Sequence, residues 1–429
     1  MPRTAAETKA ARVPVKVVAA TVAGNALEFF DFVTYAFFAV YIGDAFFPAK
    51  TEFMTLLLTV GVFGVGFIFR PLGGVLIGAY ADRAGRKPAM LLTIAMITIG
   101  TAGLALTPSY ASIGIAAPVI VIVCRLIQGL ALGGEVGPAS VFLLEIAPAG
   151  KRGFYTSWQL ASQGISTMLA GGTGAFLSAV LSKEDMAAWG WRVPFLLCLV
   201  LIPLALYLRS AMPETIEAGL DKASQSAGAI AGRLANHTRL LVLAVLLILG
   251  GTVSTYVANY LTTYAITTLH FPASTSLAAT FVGGTSTLVF SLLGGWLADR
   301  FGRRRVMLVP RLLLVLLVWP SFLLLAAHPS AATLYVTAVV ITALTAMGST
   351  AALVAIPELL PGSVRATGFA IAYSIGVSLF GGTTQFIITW LLGVTKDPVS
   401  PAWYVVGTSF ITLIAIWMMP ESRDRKLES

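Results

Sequence analysis

Apolar residues run through this chain in long, nearly unbroken stretches, not in the alternating pattern of an exposed strand or the one-sided stripe of a surface helix. The stretches fall at 17–47, 52–80, 88–106, 113–146, 153–181 and 191–210, and again at 239–268, 274–298, 304–326, 331–357, 364–392 and 401–419. Most hold about 20 residues or more, the length a helix needs to cross about 30 Å of hydrocarbon. Between the two sets lies Ser210–Thr238, the longest polar stretch, rich in Ala, Ser, Gly and charge. The pattern predicts an all-α membrane protein with twelve transmembrane helices. Residues 1–209 are expected to form one six-helix bundle, 210–238 a cytoplasmic linker and 239–429 a second bundle.

Composition supports this. Hydrophobic residues make up 57% of the chain and charged residues 11%, with a mean hydropathy of +0.87. A soluble domain carries about 25% charged residues, so much of the surface is expected to face lipid. The net charge of +9 is not read as a nucleic-acid footprint, because the basic residues sit in short clusters between apolar stretches. Of 28 Lys and Arg, 21 fall in the termini, the linker and the loops on one side; the other side holds Lys50, Lys183 and Lys396. The positive-inside rule then places both termini in the cytoplasm of a bacterial-type cell, the chain crossing its inner membrane. The first apolar run carries Glu28 and Asp31 and is read as an uncleaved span, not a signal peptide. Cys124 and Cys198 lie within apolar runs, which offers neither a disulfide framework nor a metal site.

The chain repeats itself. GAYADRAGRK (Gly78–Lys87) and GWLADRFGRR (Gly295–Arg304) share one pattern, 217 positions apart. Glu145 with Arg152 and Glu358 with Arg365 share a spacing of seven, at an offset of 213. Two motif pairs at nearly one offset mark an internal duplication. Asp82 and Asp299 are suited to accept hydrogen bonds at a neighbouring helix N-terminus. Arg83, Arg86, Arg300 and Arg303, with Arg152 and Arg365, are suited to bridge to Glu145 and Glu358. These residues are the expected conformational latch, beside the plainer reading that basic loops only fix topology.

The duplicated loop resembles the signature of the major facilitator superfamily, over essentially the whole chain. The resemblance implies two pseudo-symmetric bundles around a midplane cavity. GNALEFFDF in the first span, RLIQGLALGGE in the fourth and GFYTSWQLASQ opening the fifth are similar to the metabolite–proton symporter family. Members carry citrate, tricarballylate, 2-oxoglutarate, dicarboxylates, shikimate or betaine, and the citrate and tricarballylate branch is the most similar. The resemblance implies import of a small carboxylate driven by the proton gradient, with no cofactor. Uptake of another such metabolite, exchange, and a non-transporting ligand sensor stay as alternatives.

Charge inside a membrane calls for a reason. Asn25, Glu28 and Asp31 recur every third position, broadly on one face of the first span, which Tyr35 extends. Glu28, Asp31 and Glu135 are the candidate proton carriers. Arg125, with Gln128 one turn on, is the candidate for the substrate carboxylate, since a guanidinium fork matches a carboxylate; a structural Arg125–Asp31 ion pair is the competing reading. Gln159, Gln163, Tyr256, Tyr260 and Gln385 are further substrate-binding candidates, with interhelical hydrogen bonding as their alternative. Arg70 is read as lining or capping the cavity, Arg192 as an interfacial anchor, and Arg311 as snorkelling toward the cytoplasm. No phosphate-binding GxxxxGK[ST] loop and no nucleophile–base constellation occurs, so neither ATP drive nor enzyme chemistry is expected. The expected partners are the anionic carboxylate, protons and lipid, with the chain a monomer.

Overall fold

The structure is a computed structural model that describes residues 15–84, 86–133, 136–148, 150–210, 237–362 and 365–423. Glu135 and most of the linker lie outside these residues, as do the side chains of Asp82, Arg83 and Arg86. The first half contains α1 (Val15–Phe37), α2 (Ala39–Phe46), α3 (Glu52–Ile68), α4 (Arg70–Ala84), α5 (Arg86–Leu106), α6 (Tyr110–Ile113), α7 (Ala116–Gly133), α8 (Val136–Glu145), α9 (Arg152–Val180), α10 (Lys183–Ala188) and α11 (Val193–Ser210). The second contains α12 (Thr238–Thr267), α13 (Ala273–Phe301), α14 (Arg303–Ala327), α15 (Ala331–Leu359) and α16 (Arg365–Gly376). A π-helical turn (Val377–Gly381) leads into α17 (Gly382–Thr395), and α18 (Ser400–Met418) follows.

The twelve expected spans map onto these helices, several of them broken. The first is α1 and α2, bent by 68° at Phe38. Thr34, one turn before the bend, donates its hydroxyl to the Phe30 carbonyl at 2.6 Å, a back-bond that favours bending. The second breaks at Phe69, and the eleventh carries the π turn. Among the described residues, eight helices are long and apolar enough to cross a bilayer, nine with the bent pair taken as one. The fifth span, α9, runs 29 residues but carries Ser, Thr, Gln and Gly on the faces it buries.

Those small residues set the packing. α9 lies along α13, with Gly153 against Gly295, Gly164 against Gly284 and Leu288, and Gly171 against Thr280 and Phe281. A Cβ at any of these positions would strike the facing helix. α3 meets α17 in the same way, at Gly64 and Gly382. Close backbone approach at small residues is the usual means by which membrane helices associate, because lipid offers no hydrophobic drive between them. The two halves therefore touch along α9–α13 and α3–α17, and a cavity lies between.

Candidate functional site

Five rings from three helices form a layer where the halves meet. Phe32 and Tyr35 come from α1, Phe63 and Phe67 from α3, and Tyr256 from α12. Phe32 lies 4.9 Å from Phe63 and 5.0 Å from Phe67 between ring centroids, and Phe67 lies 5.4 Å from Tyr256. Two guanidiniums rest on this layer. Arg125 stands 3.9 Å from the Tyr35 centroid; Arg70 stands 4.2 Å from that of Phe67 and 4.5 Å from that of Phe32. Such cation–π contacts contribute up to about 2 kcal/mol when desolvated.

Arg125 and Asp31 are each only 2% exposed. Gln128 stands between them. Arg125 Nη1 donates to Gln128 Oε1 at 2.7 Å, and Gln128 Nε2 donates to Asp31 Oδ2 at 2.7 Å. The Thr101 hydroxyl on α5 donates to Asp31 Oδ1 at 2.9 Å. Gly100 makes room for this, since a Cβ there would lie 2.5 Å from Gln128 Cγ. The ion-pair reading is thus replaced by a relay, in which an amide separates the charges. Arg125 Nε and Nη2 have no hydrogen-bond acceptor.

Beside the aromatic layer lies a cavity of about 110 Å³, lined by Gln163, Tyr256, Asn259, Thr345, Ser349 and Tyr373 among others. Of the expected binding residues, Gln163 and Tyr256 reach it. Arg125, Gln128 and Tyr35 form the cluster just described, where Tyr35 also donates its hydroxyl to the Thr59 carbonyl at 3.2 Å. Asn25, Gln159 and Tyr260 bond between helices. Asn25 and Gln159 pair at 3.0 Å and tie α1 to α9, and the Tyr260 hydroxyl accepts from Thr389 at 2.9 Å. Gln385 sits on the same stretch of α17, where its backbone carbonyl accepts from Thr389 and its Nε2 has no acceptor. Glu28 faces a small apolar pocket with Ile94, Ile97, Cys198 and Ile202. Arg311 corrects its expectation: it is 4% exposed, and its Nη1 donates to the Gly250 carbonyl, Ser254 and Ser409. Its partners on α12 and α18 hold it inside the second half.

A second cluster lies at the end of the molecule carrying the basic loops. Asp299 accepts the backbone N–H of Gly153 at 2.7 Å and of Phe154 at 2.9 Å, capping α9. Arg303 Nε and Nη2 grip Glu358 at 3.1 and 2.9 Å. Arg152 reaches the same carboxylate at 3.7 Å, and Arg365 lies 3.7 Å from Glu145. Each cross-half pair takes its arginine from one half and its acid from the other. Arg300 instead stands over Trp296 and Phe301, at 5.5 and 5.6 Å, outside the cluster around Glu358.

Two residues here were missed in the sequence. Ser422 Oγ donates to Glu358 at 2.7 Å. Glu421 accepts the N–H of Arg303 at 2.8 Å and of Arg304 at 3.1 Å, capping α14. Gly302, at φ +96°, makes the turn that brings these amides to it. Burial pushes the Glu421 carboxyl up, but the backbone donors outweigh it and hold its pKa below the ordinary 4.5. The signal was a third repeat: Pro420-Glu421-Ser422 matches Pro213-Glu214-Thr215.

The sequence profile of the Major Facilitator Superfamily matches residues 21–376 and 274–429. The chain belongs to this superfamily. It is 38% identical over 398 residues to the citrate-proton symporter of Salmonella typhi, covering 92% of each chain. It is 36% identical to the citrate-proton symporter of Klebsiella pneumoniae, over 91% of this chain and 88% of that one. The alpha-ketoglutarate permease of Escherichia coli (strain K12) is 33% identical over 92% of this chain and 91% of its own. Among solved structures, a D-xylose-proton symporter superposes with a TM-score of 0.77 at 18% identity, covering 96% of this chain and 99% of that one. The fold is that of the twelve-helix superfamily, and the protein is a multi-pass membrane transporter, not an enzyme.

Proposed function

We propose that this transporter imports a small carboxylate together with protons, citrate or tricarballylate first, by alternating access between its two bundles. One observation carries the reading. Arg125 is buried, two of its nitrogens lack an acceptor, and it is joined through Gln128 to a buried carboxylate. A guanidinium with open N–H groups matches a carboxylate, and Asp31 gives the coupling proton a place one amide away. Proton arrival at Asp31 weakens its hold on Gln128 and leaves Arg125 more electropositive for the anion. Similarity to two citrate-proton symporters favours a tricarboxylate. Similarity to an alpha-ketoglutarate permease keeps a dicarboxylate as the second reading. The basic loops face the cytoplasm, where the Asp299–Glu358 cluster latches the bundles.

The test is uptake of radiolabelled citrate, tricarballylate and 2-oxoglutarate into proteoliposomes, with and without an imposed pH gradient. Accumulation that follows the gradient is expected. Uptake indifferent to it would remove symport, and failure of tricarboxylates to compete would remove the branch. Arg125→Lys keeps the charge but loses the fork. Its half-saturation is expected to rise roughly tenfold or more, as for a lost hydrogen bond to a charged group.

A further inference from the structure

Arg70 is the second guanidinium on the aromatic layer, and it is left over. It is 5% exposed, and its Nε and Nη2 have no acceptor. It touches the Phe32 and Phe67 rings, hydrogen-bonds Tyr256 and lies near Tyr373. Among the described residues no carboxylate pairs with it. Burying an unpaired cation costs several kcal/mol, more than cation–π contact returns. The open N–H groups of Arg70 are suited to receive an anion.

We propose that Arg70 is a second substrate-binding residue, so that the substrate offers at least two carboxylates, one to Arg125 and one to Arg70. This rests on the carboxylate reading above and adds the number of anionic groups. Both guanidiniums lie within 5.6 Å of the Phe32 centroid, close enough for two carboxylates of one small molecule. Charge agrees. With Asp31 ionised, the two arginines leave one positive charge uncompensated; with Asp31 protonated they leave two, which a dianion offsets. Position agrees as well. Tyr256 and Tyr373 come from α12 and α16 of the second half, both line the cavity, and Tyr373 bonds Gln163. A carboxylate on Arg70 comes within reach of hydroxyls from the opposite bundle, so binding draws the halves together.

Counterflow of radiolabelled tricarballylate into proteoliposomes tests this, with glutarate and butyrate as unlabelled competitors. In the wild type, glutarate is expected to compete and butyrate not. Arg70→Gln is expected to raise the tricarballylate half-saturation roughly 10- to 100-fold. Arg70→Lys, with the charge but without the planar fork, is expected to fall between. Arg70→Lys carries the test if the glutamine variant does not yield monodisperse protein. A wild-type half-saturation in either variant overturns the proposal, and so does competition by butyrate equal to that by glutarate. If the wild type takes up neither tricarballylate nor 2-oxoglutarate in any condition, the carboxylate reading itself falls and this proposal with it.

Discussion

Gln128 holds apart a cation and an anion that would otherwise meet. A direct pair would satisfy Arg125 and close the site; an amide passes the interaction on while leaving Nε and Nη2 open. Asp31→Asn, which mimics the protonated acid, is therefore expected to abolish accumulation against a concentration gradient while retaining counterflow exchange. Loss of both activities in well-folded protein would count against Asp31 as the proton site. Gln128→Leu breaks two hydrogen bonds to buried charged groups, worth about 1.5–3 kcal/mol each. It is expected to lower the thermal midpoint in detergent, a decrease that scanning fluorimetry reads directly. The sequence placed Asn25, Glu28 and Asp31 on one face, and all three are buried. Yet each meets a different neighbour, because positions three apart drift about 60° around a helix. Asn25 turns to α9, Glu28 to the pocket between α1, α5 and α11, and Asp31 to α5 and α7. Spacing alone could show that these groups avoid lipid, not which partner each would find.

At the scale of elements, hydrophobic length located the spans to within a few residues, as with 153–181 against Arg152–Val180. It did not show the breaks at Phe38 and Phe69 or the π turn: apolar residues surround Phe38, and Arg70-Pro71 after Phe69 interrupts the apolar run without ending it. The breaks depend on local hydrogen bonds that average hydropathy does not register. Nor did it show which spans cross between halves; that follows from where glycines face backbone. Gly295→Leu would drive a side chain into the Gly153 backbone and Ser157. It is expected to cost about 3 kcal/mol or more, seen as lost yield of monodisperse protein. A Cβ added at Gly407, on α18, would meet nothing within 4 Å. Gly407→Ala is expected to be neutral or to stabilise by up to about 1 kcal/mol.

Across the whole molecule, burial separates the parts of the cluster around Glu358 from those around Glu145. Glu358 is buried and serves Arg303, Arg152 and Ser422, whereas the Glu145 side chain is 54% exposed. Removing one partner of a buried pair costs about 3–5 kcal/mol; an exposed pair contributes about 0–1. Glu358→Gln is therefore expected to lower the thermal midpoint sharply and Glu145→Gln hardly at all. Glu421 adds a pH dependence. Its folded pKa lies below 4.5, so its contribution is full above that value and is lost as pH falls through the depressed pKa. The difference in midpoint between wild type and Glu421→Gln is expected at pH 7 and to vanish under strong acid. The duplicated motifs made this cluster legible as a set of residues. Their pairing was not, because a repeat gives the same residues to both halves without saying which half each one serves.

That pairing has a consequence for how such a chain is built. Arg152 belongs to Glu358 and Arg365 to Glu145, so residue i meets j while j's counterpart meets i's. This is the rule of an isologous two-fold contact. A six-span chain bearing a single copy of this loop would close the same lock twice on meeting an identical chain. The present chain carries both copies of the loop, so the reciprocal contact forms within one molecule, and each half is free to change its interior while the shared seam is kept.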